Sequence, residues 1–146
     1  MAEPVTTYRL KTVLDGLATE LDKLVGPGKT LRAFGREIPN LMASPVRPCL
    51  GMVLSGLRRQ DEIWDCQLKL WLLVDTGADV DAAIIAAVAE VDTAIATYAA
   101  GGSAGGCIDQ PTWEIAVLPL ANGQFQKCGA EGTLRARVAD PLKTTS

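Results

Sequence analysis

Residues 72–80 read LLVDTGADV, and Asp75 is the side chain in the sequence most open to a chemical role. A carboxylate at the end of an apolar run, followed by Thr and Gly, can face a second carboxylate about 3 Å away and share one proton with it, so that a water between them is activated. The same residues also suit a buried strand that ends and feeds a helix cap. A second stretch, KLVGPGKTL over residues 23–31, contains the Gly-Lys-Thr of a phosphate-binding loop. There Lys23 stands where the first glycine should be, and the loop falls between a helix and a strand. A phosphate loop must instead open a helix, so that backbone N–H groups and the helix dipole hold the anion. The stretch therefore reads as a helix end and a turn. The chain has no histidine, which removes Ser-His-Asp and Cys-His catalysis and every His-containing metal site. Its four cysteines, Cys49, Cys66, Cys107 and Cys128, are scattered with no Cys-x-x-Cys pair. They read as reduced thiols in or near the core, and neither a metal nor a cofactor is expected.

Composition limits the alternatives. At 146 residues, 48% of them hydrophobic, the chain is long enough for one domain with a substantial core. Seventeen acidic residues against fourteen basic ones give no reason to expect sequence-specific nucleic-acid binding. No apolar run is long enough to span a bilayer, and the start MAEPVTTYR lacks the apolar centre of a signal peptide. The expectation is a soluble, intracellular chain with no membrane partner.

Periodicity supplies the elements that would position these residues. Leu10, Val13, Leu14, Leu17, Leu21, Leu24 and Val25 follow helical spacing, with Thr6 or Thr7 as cap and the glycines at 26–28 as terminator. KTLRAFGREIP suggests a short strand followed by a proline-punctuated loop to Pro48. Residues 49–57 and 63–74 read as paired strands with RRQDE as a polar turn, which places Arg58 and Arg59 at a hairpin tip. On the second strand Trp64, Cys66, Leu68, Leu70, Leu72 and Val74 share one side, and Asp65, Gln67 and Lys69 the other. Residues 79–100 predict a long alanine-rich helix, with Asp79 as cap and Asp81 in its first turn. Its stripe is Val80, Ile84, Val88, Val91, Ile95 and Tyr98. After the linker GGSAGG come TWEIAVLPL, QFQKC and TLRARVA as three further strands, and a polar, frayed tail from residue 140.

The Asp-Thr-Gly stretch resembles the active-site signature of retroviral-type aspartic proteases. That resemblance implies a second Asp75 supplied by a twofold dimer, with GGSAGG near the place of a glycine-rich flap. A retropepsin continues from its catalytic loop into strand, however, whereas this sequence continues into helix. The family's later apolar-apolar-Gly brace has no counterpart in LRARVADPL. The structural reading of Asp75 is preferred, and no catalytic residue is assigned.

What remains is an α+β fold in two layers: a mainly antiparallel sheet with two amphipathic helices packed on one face, forming a single domain over 1–146. Trp71 and Leu73 fall in phase with Asp65, Gln67 and Lys69, so one end of the side away from the helices is apolar. Exposed tryptophan is enriched at interfaces. Arg58, Arg59, Trp71 and Leu73 are therefore candidate interface residues, with the loop from Gly35 to Pro48 a further one.

The order of elements resembles the tail terminator, or tail completion, proteins of long-tailed bacteriophages. The likeness runs through the helix TYRLKTVLDGLATELDKLV, the hairpin CLGMVLSGLRRQDEIWDCQLKLWLLV, the helix DVDAAIIAAVAEVDTAIATY and the strands TWEIAVLPL and TLRARVA. It implies a structural virion protein and no enzyme: a homo-oligomeric ring, hexameric in that family, capping the tail tube and docking to the head's neck proteins. Its place would be the tail-neck junction, after assembly in the host cytoplasm. A neighbouring neck or tail-tube protein is the near alternative. A dimeric aspartic protease and a generic small-molecule-binding module are the readings from other classes.

Overall fold

The structure is a computed structural model, and it describes residues 8–38, 46–75, 77, 79–101 and 106–140. Helix α1 (Arg9–Asp22) buries Leu10, Val13, Leu14, Leu17, Ala18 and Leu21 on one stripe. It stops short of the expected Val25, which instead forms a bridge to Leu31. The turn between them uses left-handed backbone at Gly26 (φ 148°) and Gly28 (φ 74°), which side chains disfavour. GPGKT therefore runs from a helix end into a strand-like bridge, and no helix starts there.

The expected caps Thr6 and Thr7 lie outside the described residues. Tyr8 occupies the cap position of α1 without a side-chain hydrogen bond. The Leu10 N–H is satisfied from far away in sequence, donating to Asp140 Oδ2 at 3.0 Å. Asp140 is thus buried (6% exposed), and its own N–H donates to the Glu62 carbonyl. The expectation of fraying from residue 140 is corrected at that residue: its carboxylate does the work of a helix cap.

Strand β1 (Ala33–Gly35) runs parallel to the start of β2 (Cys49–Gln60). β2 pairs antiparallel with β3 (Ile63–Leu73), and β3 with β6 (Phe125–Ala139). Along the outer side of β6 lie β4 (Gly106–Ile108) and β5 (Thr112–Pro119), end to end. Together they form one six-stranded sheet. The hairpin turn between β2 and β3 is only Asp61 and Glu62, both with positive φ (52° and 64°), the two-residue geometry that suits strand twist. Arg58 and Arg59 are therefore strand residues on alternate faces, not tip residues.

QFQKC and TLRARVA belong to one 15-residue strand, β6, not to two. The intervening Gly129 packs so tightly against β3 that a Cβ there would overlap the Leu72 carbonyl oxygen. Helix α2 (Val80–Ala100) forms as expected, with the Asp79 side chain accepting from the Ala82 N–H at 3.3 Å and Asp81 in its first turn. Ile84, Ala87, Val91, Ile95 and Tyr98 are buried. Both helices pack on the same side of the sheet, against Leu50, Met52, Cys66, Leu68, Leu70, Leu72, Leu134 and Val138. They are tied to each other where the Tyr98 hydroxyl donates to the Val13 carbonyl at 2.9 Å. The fold is the two-layer α+β arrangement.

Candidate functional site

The side of the sheet away from the helices is the surface to be explained. Strand alternation puts Asp65, Gln67, Lys69, Trp71 and Leu73 of β3 there, beside Gly129, Glu131, Thr133, Arg135 and Arg137 of β6. The charges pair diagonally across the strands. Arg135 Nε donates to Asp65 Oδ1 at 2.7 Å, and its Nη2 reaches the other carboxylate oxygen, a bidentate contact. This hydrogen-bonded guanidinium holds the Asp65 carboxyl below the usual carboxylate range. Lys69 Nζ lies 3.0 Å from Glu131 Oε1 and donates to Thr133 Oγ1 at 3.0 Å. Arg137 is 3.8 Å from Asp109. Arg58, Asp65, Gln67, Thr133 and Arg135 line a depression of about 500 Å³. Asp65 and Arg135 there are already bound to each other, Arg58 and Asp109 add further charge, and the depression is open, unlike the enclosed apolar pocket a small-molecule module wants.

The expected interface residues separate. Arg58 lies on this open face opposite Asp65 and is exposed. Arg59 points to the helix side, where its guanidinium lies 5.1 Å from the ring centres of both Tyr8 and Trp64. Its Nη2 donates to the Asp140 carbonyl at 2.7 Å, so it clamps the start of α1 to the end of β6. Trp71 is half-buried on the open face, and its indole N–H has no hydrogen-bond partner among the described residues. Leu73 is not available as an interface residue, being 1% exposed. It forms a second small apolar cluster with Cys49 and Cys128, bordered by Ala33, Ala116 and Leu118. No local pattern shows this, because the covering residues come from β1, β2, β5 and β6.

Sequence reasoning missed the sheet's margins. β1 pairs with β2 only as far as Gly51, so among the described residues no strand pairs with the outer edge of residues 53–60. Leu54 and Leu57 stand exposed there. At the opposite margin β5 pairs with β6 alone, and Ile115, Val117 and Phe125 are exposed. Helix α2 extends that apolar strip. Its Asp81 receives Lys127 Nζ at 3.0 Å, and its Asp92 receives the Trp113 indole N–H at 2.8 Å. Asp81, Ile85, Val88 and Asp92 follow one helical stripe, so Ile85 lies between those two anchors and is still 68% exposed. The alternation in TWEIAVLPL, with Glu114 between Trp113 and Ile115, was the legible signal of this edge.

The other chemical candidates lie apart from this surface. Asp75 is exposed just after β3, and α2 begins at Val80. Burial pushes the thiols of Cys49, Cys66 and Cys128 upward, which keeps them protonated and poorly nucleophilic at neutral pH. The side chain of Cys107 lies outside the described residues. Among the described residues no group of three His, Cys, Asp or Glu side chains could hold a metal ion. No helix among them is long and apolar enough to cross a membrane.

No known protein-family model and no curated protein sequence matches the chain. The functional reading therefore stands on the surface itself and on the order of elements.

Proposed function

We propose that this chain is a virion assembly protein that closes into a homo-oligomeric ring, caps a phage tail tube and joins it to the head-neck connector. The observation that carries the proposal is the exposed apolar strip at each of two opposite margins of the sheet, Leu54 and Leu57 on one and Ile85, Ile115 and Val117 on the other. Two different sticky surfaces on one chain favour heterologous contact, in which each copy presents one surface to a neighbour's other surface, and such contacts form a ring when the rotation between neighbours closes. The resemblance to tail terminators in element order supplies the ring of six, the tube and the neck as partners, and the virion as the place. On this reading the work is binding, with Trp71 and the diagonal charge pairs of the open face available to the tube or the neck.

The test is the native mass of the full chain, followed by addition to tail-tube polymers built from a tail-tube protein of a long-tailed phage. A mass of six copies and arrest of tube elongation are expected. A chain that stays monomeric and leaves elongation unchanged overturns the proposal. A stable dimer that cleaves peptides, and loses cleavage with Asp75→Asn, replaces it with the protease reading.

A further inference from the structure

We infer that neighbouring copies join by sheet extension: β5 of one copy pairs antiparallel with residues 53–60 of β2 of the next. This rests on the self-assembly reading above and specifies its contact. The first support is strand direction. β2 and β3, β3 and β6, and β6 and β5 are each antiparallel, so directions alternate across the sheet from one open edge to the other. A second copy set beside β5 in the same orientation therefore presents its β2 edge antiparallel. That same-orientation placement is what a head-to-tail ring requires. Both edges carry N–H and C=O groups that a neighbouring strand can satisfy.

The second support is register. Glu114 is exposed on the open face of β5, directly opposite Glu131 of its own β6. Like charges facing each other across strands are unfavourable; Lys69 meets Glu131 from the β3 side, and a cation on the outer side of β5 would meet Glu114. Arg58 is exposed on the same face of β2, opposite Asp65. Set Glu114 against the neighbour's Arg58, and antiparallel running brings the next residue of β5 against the preceding residue of β2. That pair is Ile115 and Leu57, 53% and 52% exposed. Both lie on the helix side, Ile115 opposite Ala130 and Leu57 opposite Cys66. One register thus matches charge with charge on one face and apolar with apolar on the other. A twofold pairing of β5 with another β5 brings no cation to Glu114, and it stops at two copies.

The experiment uses the full chain with Leu57→Cys, Ile115→Cys, and both together, oxidised mildly and separated without reductant. Both positions are exposed, so the variants should retain the wild-type circular dichroism. The double variant is expected to give a covalent ladder beyond the dimer, while each single variant stays uncrosslinked. Charge exchange sharpens the result: Glu114→Arg or Arg58→Glu alone should weaken the oligomer at low salt, and the combination should restore it. Dimers from Ile115→Cys alone, or no ladder from the double variant, overturn the contact. If the wild-type native mass is oligomeric while the double variant gives no ladder, this contact falls and the ring reading stands. A chain that is monomeric and uncrosslinked overturns both.

Discussion

On β3, Leu68 and Lys69 are chain neighbours with opposite surroundings, and the alternation runs from Cys66 to Leu72. Toward the helices, two leucines of β3 stand opposite small residues of β6, Leu72 facing Ala130 and Leu70 facing Gly132, while Leu68 faces Leu134. The small residues leave room for bulk from above, and the Trp113 ring lies over Gly132. Away from the helices the selection is by charge, with Asp65 and Lys69 reaching diagonally to Arg135 and Glu131. A face that is covered is specified by volume, because voids and overlaps both cost stability. The other face is specified by polarity, and small exchanges there cost little.

The sharpest way to break this contrast is Ile84→Asp. Ile84 is buried under α2, and an unpaired carboxylate there costs several kcal/mol, about the whole stability of a small domain. Loss of the folded circular dichroism is expected; a normal melting curve would show that α2 does not cover that face. A smaller loss, about 1–2 kcal/mol, is expected from Asp140→Ala in urea denaturation, since the Leu10 N–H loses its acceptor. An unchanged midpoint would mean that water caps α1 equally well. On the open face, a double-mutant cycle of Lys69→Met and Glu131→Gln should return a coupling of about 0.2–1 kcal/mol. A coupling above about 2 kcal/mol would show that this face is far less wet than its charges imply.

The smallest effect is a slope with pH. The folded pKa of Asp65 is lowered by Arg135, so the unfolded chain binds its proton first as pH falls. Its contribution is present above the ordinary carboxylate pKa and disappears as pH drops through the lowered folded value. Asp65→Asn should therefore lower stability slightly at neutral pH and flatten the acid limb, with the two curves converging as pH drops below the lowered folded value. An acid limb identical to wild type would mean that Arg135 does not hold this carboxylate in solution.

The layers were legible because β3 alternates from Cys66 to Leu72 and α2 carries its own cap, Asp79. Both signals are local. What escaped was set by contacts distant in sequence. Leu73 reads as exposed from its phase on β3, but Cys49 and Cys128 arrive from other strands to cover it. Gly129 and Gly132 look like a break between two strands, yet they are small because a neighbouring strand and a tryptophan ring approach there. RRQDE is polar throughout, and only pairing of Gln60 with Ile63 reveals that the turn is two residues long. The candidate surface escaped for a similar reason. An unpaired edge is a property of the whole sheet order, which no single stretch contains.

The clasp at Asp140 ties the first helix to the last strand across 130 positions of chain. During synthesis α1 leaves the ribosome long before that carboxylate exists, and β3 likewise waits for β6 as its second partner. The core strand is therefore left with one bare flank until β6 has been made, an interval of seconds at about 5–20 residues per second. Completion of the sheet waits on the synthesis of β6. A truncated product lacking β6 and Asp140 would present both the bare flank of β3 and an uncapped first helix, which marks it for clearance.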